Sequence, residues 1–145
     1  MRDRILKYTI IIALLITALS NAQHRVDPRL EPYVKDFFKL LDSNNIQYND
    51  SIMLIQVSQP LKGTEYLGIA KGMNNDDVIN ISISPKFFRL SRYARLWVMY
   101  HELSHDIFNL RHGSIELMSK RAPSYVDTYM LTKASNELIS HLKGL

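Results

Sequence analysis

Apolar residues along this chain fall into separate blocks, and the spacing within each predicts an element. Residues 10–19 form an apolar core of ten residues with Thr17 its one hydroxyl side chain. From Pro32 onward, Tyr33, Phe37, Phe38, Leu40 and Leu41 recur at helical spacing, and Asp42-Ser43-Asn44-Asn45 predicts the end of that helix. Residues 51–58 (SIMLIQVS) are rich in apolar and β-branched side chains, as in a strand, and Pro60 closes the block. Residues 66–70 predict a second short strand and residues 72–77 a turn. Residues 78–84 (VINISIS) alternate: Val78, Asn80, Ser82 and Ser84 on one side, Ile79, Ile81 and Ile83 on the other. That pattern predicts a strand with one buried and one wet face, ended by Pro85. Ser91 is the expected N-cap of a helix running through WVMYHELSHDIF, although Ala94 is not a capping-box residue. A final helix is expected from residue 124 or 125 to about 143, with Val126, Met130, Leu131, Ala134, Leu138, Ile139 and Leu142 on its apolar face. The polar stretch 23–31 reads as loose. This order predicts an α+β fold: a small mixed or antiparallel sheet packed on an N-terminal, a central and a C-terminal helix.

Composition narrows the class. One domain is the default for 145 residues, and 46% apolar with 22% charged residues suits a globular chain with a sizeable core. With no cysteine, disulfide scaffolds, thiolate metal sites and thiol nucleophiles are excluded. Arg2, Arg4 and Lys7 precede the apolar run, which is short for a bilayer span, and Ser20-Asn21-Ala22 follows it. This is the layout of a secretory signal over residues 1–22, cleaved between Ala22 and Gln23. The expected mature domain is 23–145, secreted or periplasmic, with membrane attachment only if the segment stays as an uncleaved anchor. Without it the formal charge falls from +4 to about +2, so no nucleic-acid partner is expected.

The candidate chemistry lies in the central helix, where His101-Glu102-Leu103-Ser104-His105 is an H-E-x-x-H. Histidines four residues apart on a helix sit about 40° apart around its axis and one turn apart along it, so both imidazoles reach one metal ion. Glu102 is placed to act as a general base beside that ion. The competing reading is a pair of surface histidines on an ordinary amphipathic helix. A catalytic zinc site needs three protein ligands. On an unbroken helix His112 would lie about 10 Å beyond His105, so the chain must turn back between them. Asn109 is the favoured turn because Asn tolerates the left-handed conformation; a helix stop at Gly113 is the alternative. Glu116 and Glu137 are the other candidate third ligands, each more simply read as a solvated charge. Asp106 reads as a surface carboxylate or as a hydrogen-bond partner behind a ligand. His24 and His141 read as surface residues.

The run HELSHDIFNLRHG followed by Glu116-Leu117-Met118-Ser119 resembles the metzincin clan of zinc peptidases, whose pattern is H-E-x-x-H-x-x-G-x-x-H with a methionine turn downstream. The E-L-M-S run is also similar to the methionine turn of snapalysin-type secreted proteases. The resemblance implies His101, His105 and His112 as ligands of one Zn²⁺, Glu102 as general base and Met118 beneath the metal. It also implies a zincin-like fold in which 78–84 is the antiparallel edge strand lining the cleft and holding substrate by β-augmentation. Tyr125 or Tyr129 would be candidates to stabilise an oxyanion. The chain departs from the pattern in three ways: His112 comes one residue late, Asn109 replaces the turn glycine, and Arg111 stands where snapalysin has an aspartate.

The function expected is that of a monomeric zinc metalloendopeptidase, a hydrolase acting on a peptide or protein substrate. The alternatives are a non-catalytic, metal-stabilised binding module of zincin shape, or an unrelated α+β domain carrying the motif by accident.

Overall fold

The computed structural model describes residues 25–49, 52–58, 66–71 and 78–144. The expected signal over 1–22 and the turn at 72–77 lie outside these residues. Among the described residues the architecture is α+β: three α-helices and a four-stranded mixed sheet. The strands are β1 (Arg25–Val26), β2 (Ile52–Val57), β3 (Gly68–Ala70) and β4 (Val78–Ile83), and the helices are α1 (Glu31–Ser43), α2 (Arg92–Phe108) and α3 (Thr128–Lys143). In the described residues no helix is long and apolar enough to cross a membrane.

The sheet order is β1-β2-β4-β3, with β1, β2 and β4 parallel and β3 antiparallel to β4. This corrects two expectations. Of the stretch 23–31, the described part, 25–31, is not loose: Arg25 and Val26 pair with β2, Asp27 donates its N–H to the Ile55 carbonyl at 2.8 Å, and Leu30 is fully buried. The strand at 78–84 is not the edge. It lies between β2 and β3, and the antiparallel edge is β3. The expected wet face is only partly wet: Val78 and Asn80 are half-buried, and Ser82 and Ser84 are buried along with Ile79, Ile81 and Ile83. The longer, β-branched strand takes the interior, and a three-residue strand containing glycine takes the rim, where short strands limit unwanted pairing. Period-2 alternation identifies a strand's faces but not its neighbours.

Helix α2 is the hub. It packs against α1, α3, β3 and β4, and its Leu96, Trp97, Val98, Met99, Tyr100 and Leu103 are all buried. Its start is the expected one: the Ser91 hydroxyl accepts the Ala94 N–H at 3.3 Å. Two side chains lash it to α1. Tyr100 donates its hydroxyl to Asp36 Oδ2 at 2.7 Å, and Arg95 reaches the Tyr33 hydroxyl at 2.9 Å. Helix α3 starts later than expected, at Thr128. Asp127, in extended backbone, caps it by accepting the Met130 N–H at 2.8 Å, while Val126 is buried ahead of it. Pro85 does more than end β4, since it opens a 3₁₀ turn, Pro85–Arg89, that buries Phe87.

Candidate metal centre

The end of α2 builds the site. Asn109 has φ 53° and ψ 31°, the left-handed conformation that terminates a helix. The N–H groups of Asn109 and Leu110 both turn back to the Ser104 carbonyl. This reversal, at the expected residue, brings His112 back over the helix instead of a further turn along it. The loop beyond is fastened at each end. Gly113, at φ 83°, donates its N–H to the Met118 carbonyl at 2.9 Å, and the Ser114 hydroxyl donates to the Arg111 carbonyl at 2.8 Å.

The outcome is a convergence of three imidazoles. Nε2 of His105 lies 3.0 Å from Nε2 of His101 and 3.0 Å from Nε2 of His112, and the last two are 3.3 Å apart. Nδ1 of His101 is 2.8 Å from the Leu117 carbonyl, and Nδ1 of His105 is 2.6 Å from that of Leu110. A carbonyl only accepts, so in both rings Nδ1 carries the proton and Nε2 offers its lone pair inward. Backbone carbonyls on Nδ1 are the usual means of orienting a ligating histidine. Burial pushes the imidazolium of His101 down to about 4, with the Leu117 hydrogen bond opposing, and burial lowers that of His105 too. Both rings are thus held neutral, the form that binds a metal.

Neutral lone pairs facing one another in a half-buried site repel unless a cation sits between them. Four-coordinate nitrogens at 2.0–2.1 Å from a metal stand about 3.3 Å apart, close to the separations here. These three histidines are placed to hold a metal ion, and the donor set suits zinc among other divalent ions. His105 is buried, His101 half-buried and His112 exposed, so the cluster opens to solvent on the His112 side.

Glu102 is buried on the sheet side of α2. Its Oε2 accepts the Ala70 N–H of β3 at 3.0 Å. Burial pushes its carboxyl up to about 7; the Ala70 bond pulls down and the Asp106 charge adds to the rise. Asp106 is not the surface carboxylate that was the simpler expectation. It is buried, and its Oδ2 accepts the Asn80 N–H of β4 at 3.1 Å. Its position one turn after Glu102 was the available signal, because residues four apart share a helix face.

The other candidates lie elsewhere. Glu116 pairs with Lys133 at 2.9 Å and donates its N–H to Glu137 Oε2 at 3.0 Å, so these carboxylates join the Glu116–Met118 turn to α3 and stand outside the histidine cluster. Met118 is fully buried in that 3₁₀ turn, next to the Leu117 carbonyl that holds His101. Tyr125 and Tyr129 are exposed, at 69% and 75%. His141 lies in the last turn of α3, and His24 is outside the described residues. The participants that sequence reasoning missed are backbone groups, the carbonyls of Leu110 and Leu117 and the N–H of Ala70, which carry no residue-type signal. No family model, curated protein or solved structure matches this chain.

Proposed function

We propose that this chain is a zinc-dependent metallopeptidase of zincin type, with His101, His105 and His112 as the metal ligands and Glu102 as the general base. The observation that carries the reading is the convergence of three Nε2 atoms, two with their tautomer set by backbone carbonyls. Zinc, when bound, supplies a Lewis acid that polarises a carbonyl and acidifies a water. The chain's own residues supply the proton handling. Glu102 Oε2 is taken by the Ala70 N–H, which leaves Oε1 to carry a proton. A carboxyl pushed up to about 7 both accepts and returns a proton near neutral pH. In this reading Glu102 takes a proton from the attacking water as the new C–O bond forms, then delivers it to the amine nitrogen as the C–N bond breaks.

A second reading has one observation in its favour. The same Glu102–Ala70 bond also serves as a structural tie between α2 and the sheet edge, as expected in a non-catalytic, metal-stabilised binding module.

Two measurements test the proposal. After exhaustive dialysis, the 23–145 chain retains about one zinc by elemental mass spectrometry and His112→Ala loses most of it. Zinc retained in both would remove His112 from the ligand set, and no zinc in a folded wild-type chain would end the enzyme reading. Against a peptide library, Glu102→Gln is inactive while its zinc content stays at the wild-type level. Undiminished cleavage by that variant would refute Glu102 as the base, and a zinc-loaded wild type that cleaves nothing would favour the binding module.

A further inference from the structure

Gly68 sits in β3, and a Cβ built on it would meet Glu102 at 2.6 Å from Cγ, 2.8 Å from Oε1 and 2.9 Å from Cδ. Real Cβ contacts stay beyond about 3 Å, so no side chain larger than hydrogen fits while Glu102 stays where it is. The backbone of Gly68 is not in the left-handed region, so the requirement is one of space. Two residues on, Ala70 donates its N–H to Glu102 Oε2. Both residues present the outer edge of β3, because Leu67 and Lys71 spend their backbone groups on Ser84 and Asn80 of the neighbouring chain segment. The carboxylate of Glu102 therefore lies in a notch in the strand edge. Gly68 opens the notch, and the Ala70 N–H fixes the carboxylate within it.

We infer that Gly68 is a positioning residue for Glu102: its missing Cβ is what lets the carboxylate lie against β3 and keep one oxygen on the Ala70 N–H. A flexible side chain could swing away from an added methyl group. Here that movement would break the Ala70 bond and disturb a buried carboxylate, so the methyl acts through Glu102 from 34 positions away in sequence. The catalytic consequence rests on the proposed role of Glu102, whereas the packing relation does not.

The test is a double-mutant cycle on the metal-free protein, read by thermal melting. Gly68→Ala in the otherwise natural chain should lower the melting temperature by about 5 °C. In a Glu102→Ala background, where Cγ, Cδ and Oε1 are gone, the same substitution should be neutral or slightly stabilising, since alanine orders in a strand more readily than glycine. An equal drop in both backgrounds would place the clash elsewhere and overturn the inference. So would a Gly68→Ala chain whose failure to fold is not reversed by Glu102→Ala. Zinc content supplies the second readout: Gly68→Ala should retain zinc like the wild type, because the Leu117 and Leu110 carbonyls that orient the histidines are untouched. If the wild type cleaves peptides, Gly68→Ala should lower kcat about 100-fold with little change in KM. A kcat left at the wild-type value would show that Gly68 does not position the base. If the wild type cleaves nothing, the enzyme reading fails while the melting cycle still decides on Gly68.

Discussion

Glu102 is a carboxylate whose surroundings oppose its charge. Burial puts its folded-state value, about 7, above its ordinary value of 4.5. A raised carboxylate value means that the folded chain binds the proton more tightly than the unfolded chain. The penalty is absent below about 4.5, grows as pH rises, and is complete above about 7. Glutamine keeps an acceptor for the Ala70 N–H and has no charge to lose solvation. The metal-free Glu102→Gln chain should therefore be more stable than the wild type at pH 8, on the order of 2–3 kcal/mol, with the gap closing by pH 4.5. Urea titrations of both chains across that range measure it. A gap that does not change with pH would mean that Glu102 is not desolvated as described. Histidine 101 works in the opposite sense, but it is common to both chains and drops out of the difference.

At the scale of the element, the site depends on where α2 stops. Asn109 in the left-handed region is tolerated, whereas a β-branched residue there is strained. Asn109→Gly should leave stability and zinc content near wild type. Asn109→Val should lose about 1–2 kcal/mol and bind zinc more weakly, because the reversal that returns His112 is no longer favoured. Equal zinc affinity in the two variants would show that the turn does not govern His112. The same helix is held at its middle by the Tyr100–Asp36 bond. Burial first, then the Asp36 carboxylate, holds the Tyr100 phenol protonated well above its ordinary range, so it is a donor at all physiological pH. Tyr100→Phe should lower stability by about 1.5–3 kcal/mol, as for a hydrogen bond to a charged acceptor, without changing zinc content. Chemical denaturation with elemental analysis checks both halves of that expectation.

Across the whole molecule, the histidine cluster reinforces with polar contacts what the core already packs together, α2 and the turn at Glu116–Met118. His101 ties α2 to the Glu116–Met118 turn through Leu117, and that turn is tied to α3 through Glu116, Lys133 and Glu137. A metal bound only by the folded chain stabilises it by mass action, about 2.7 kcal/mol at a free-metal level 100 times the dissociation constant. Zinc should raise the melting temperature, a chelator should reverse the rise, and His105→Ala should abolish the response. A wild-type melting temperature unmoved by zinc would mean that the folded chain does not bind it.

Much of this was legible along the chain. The H-E-x-x-H spacing, the apolar flanks of α2, the Ser91 cap and the Asn109 stop are local, and local rules of helix geometry and capping are enough to read them. The α+β class follows from the order of periodicities in the same way. What remained hidden depends on which distant groups meet. Nothing in 78–84 says that β4 lies inside the sheet, because a strand's own pattern carries no record of its neighbours. Nothing in Gly68 or Ala70 marks them as the notch for Glu102, since a backbone N–H and a missing Cβ look the same in every sequence. Asp106 and the carbonyls of Leu110 and Leu117 are similar cases. The sequence by itself determined the donor types and the helix that spaces two of them. Only the tertiary structure decided which carbonyls orient them, which strand edge receives the carboxylate, and how the third imidazole closes the set, because those are contacts between segments whose approach is set by packing rather than by local conformation.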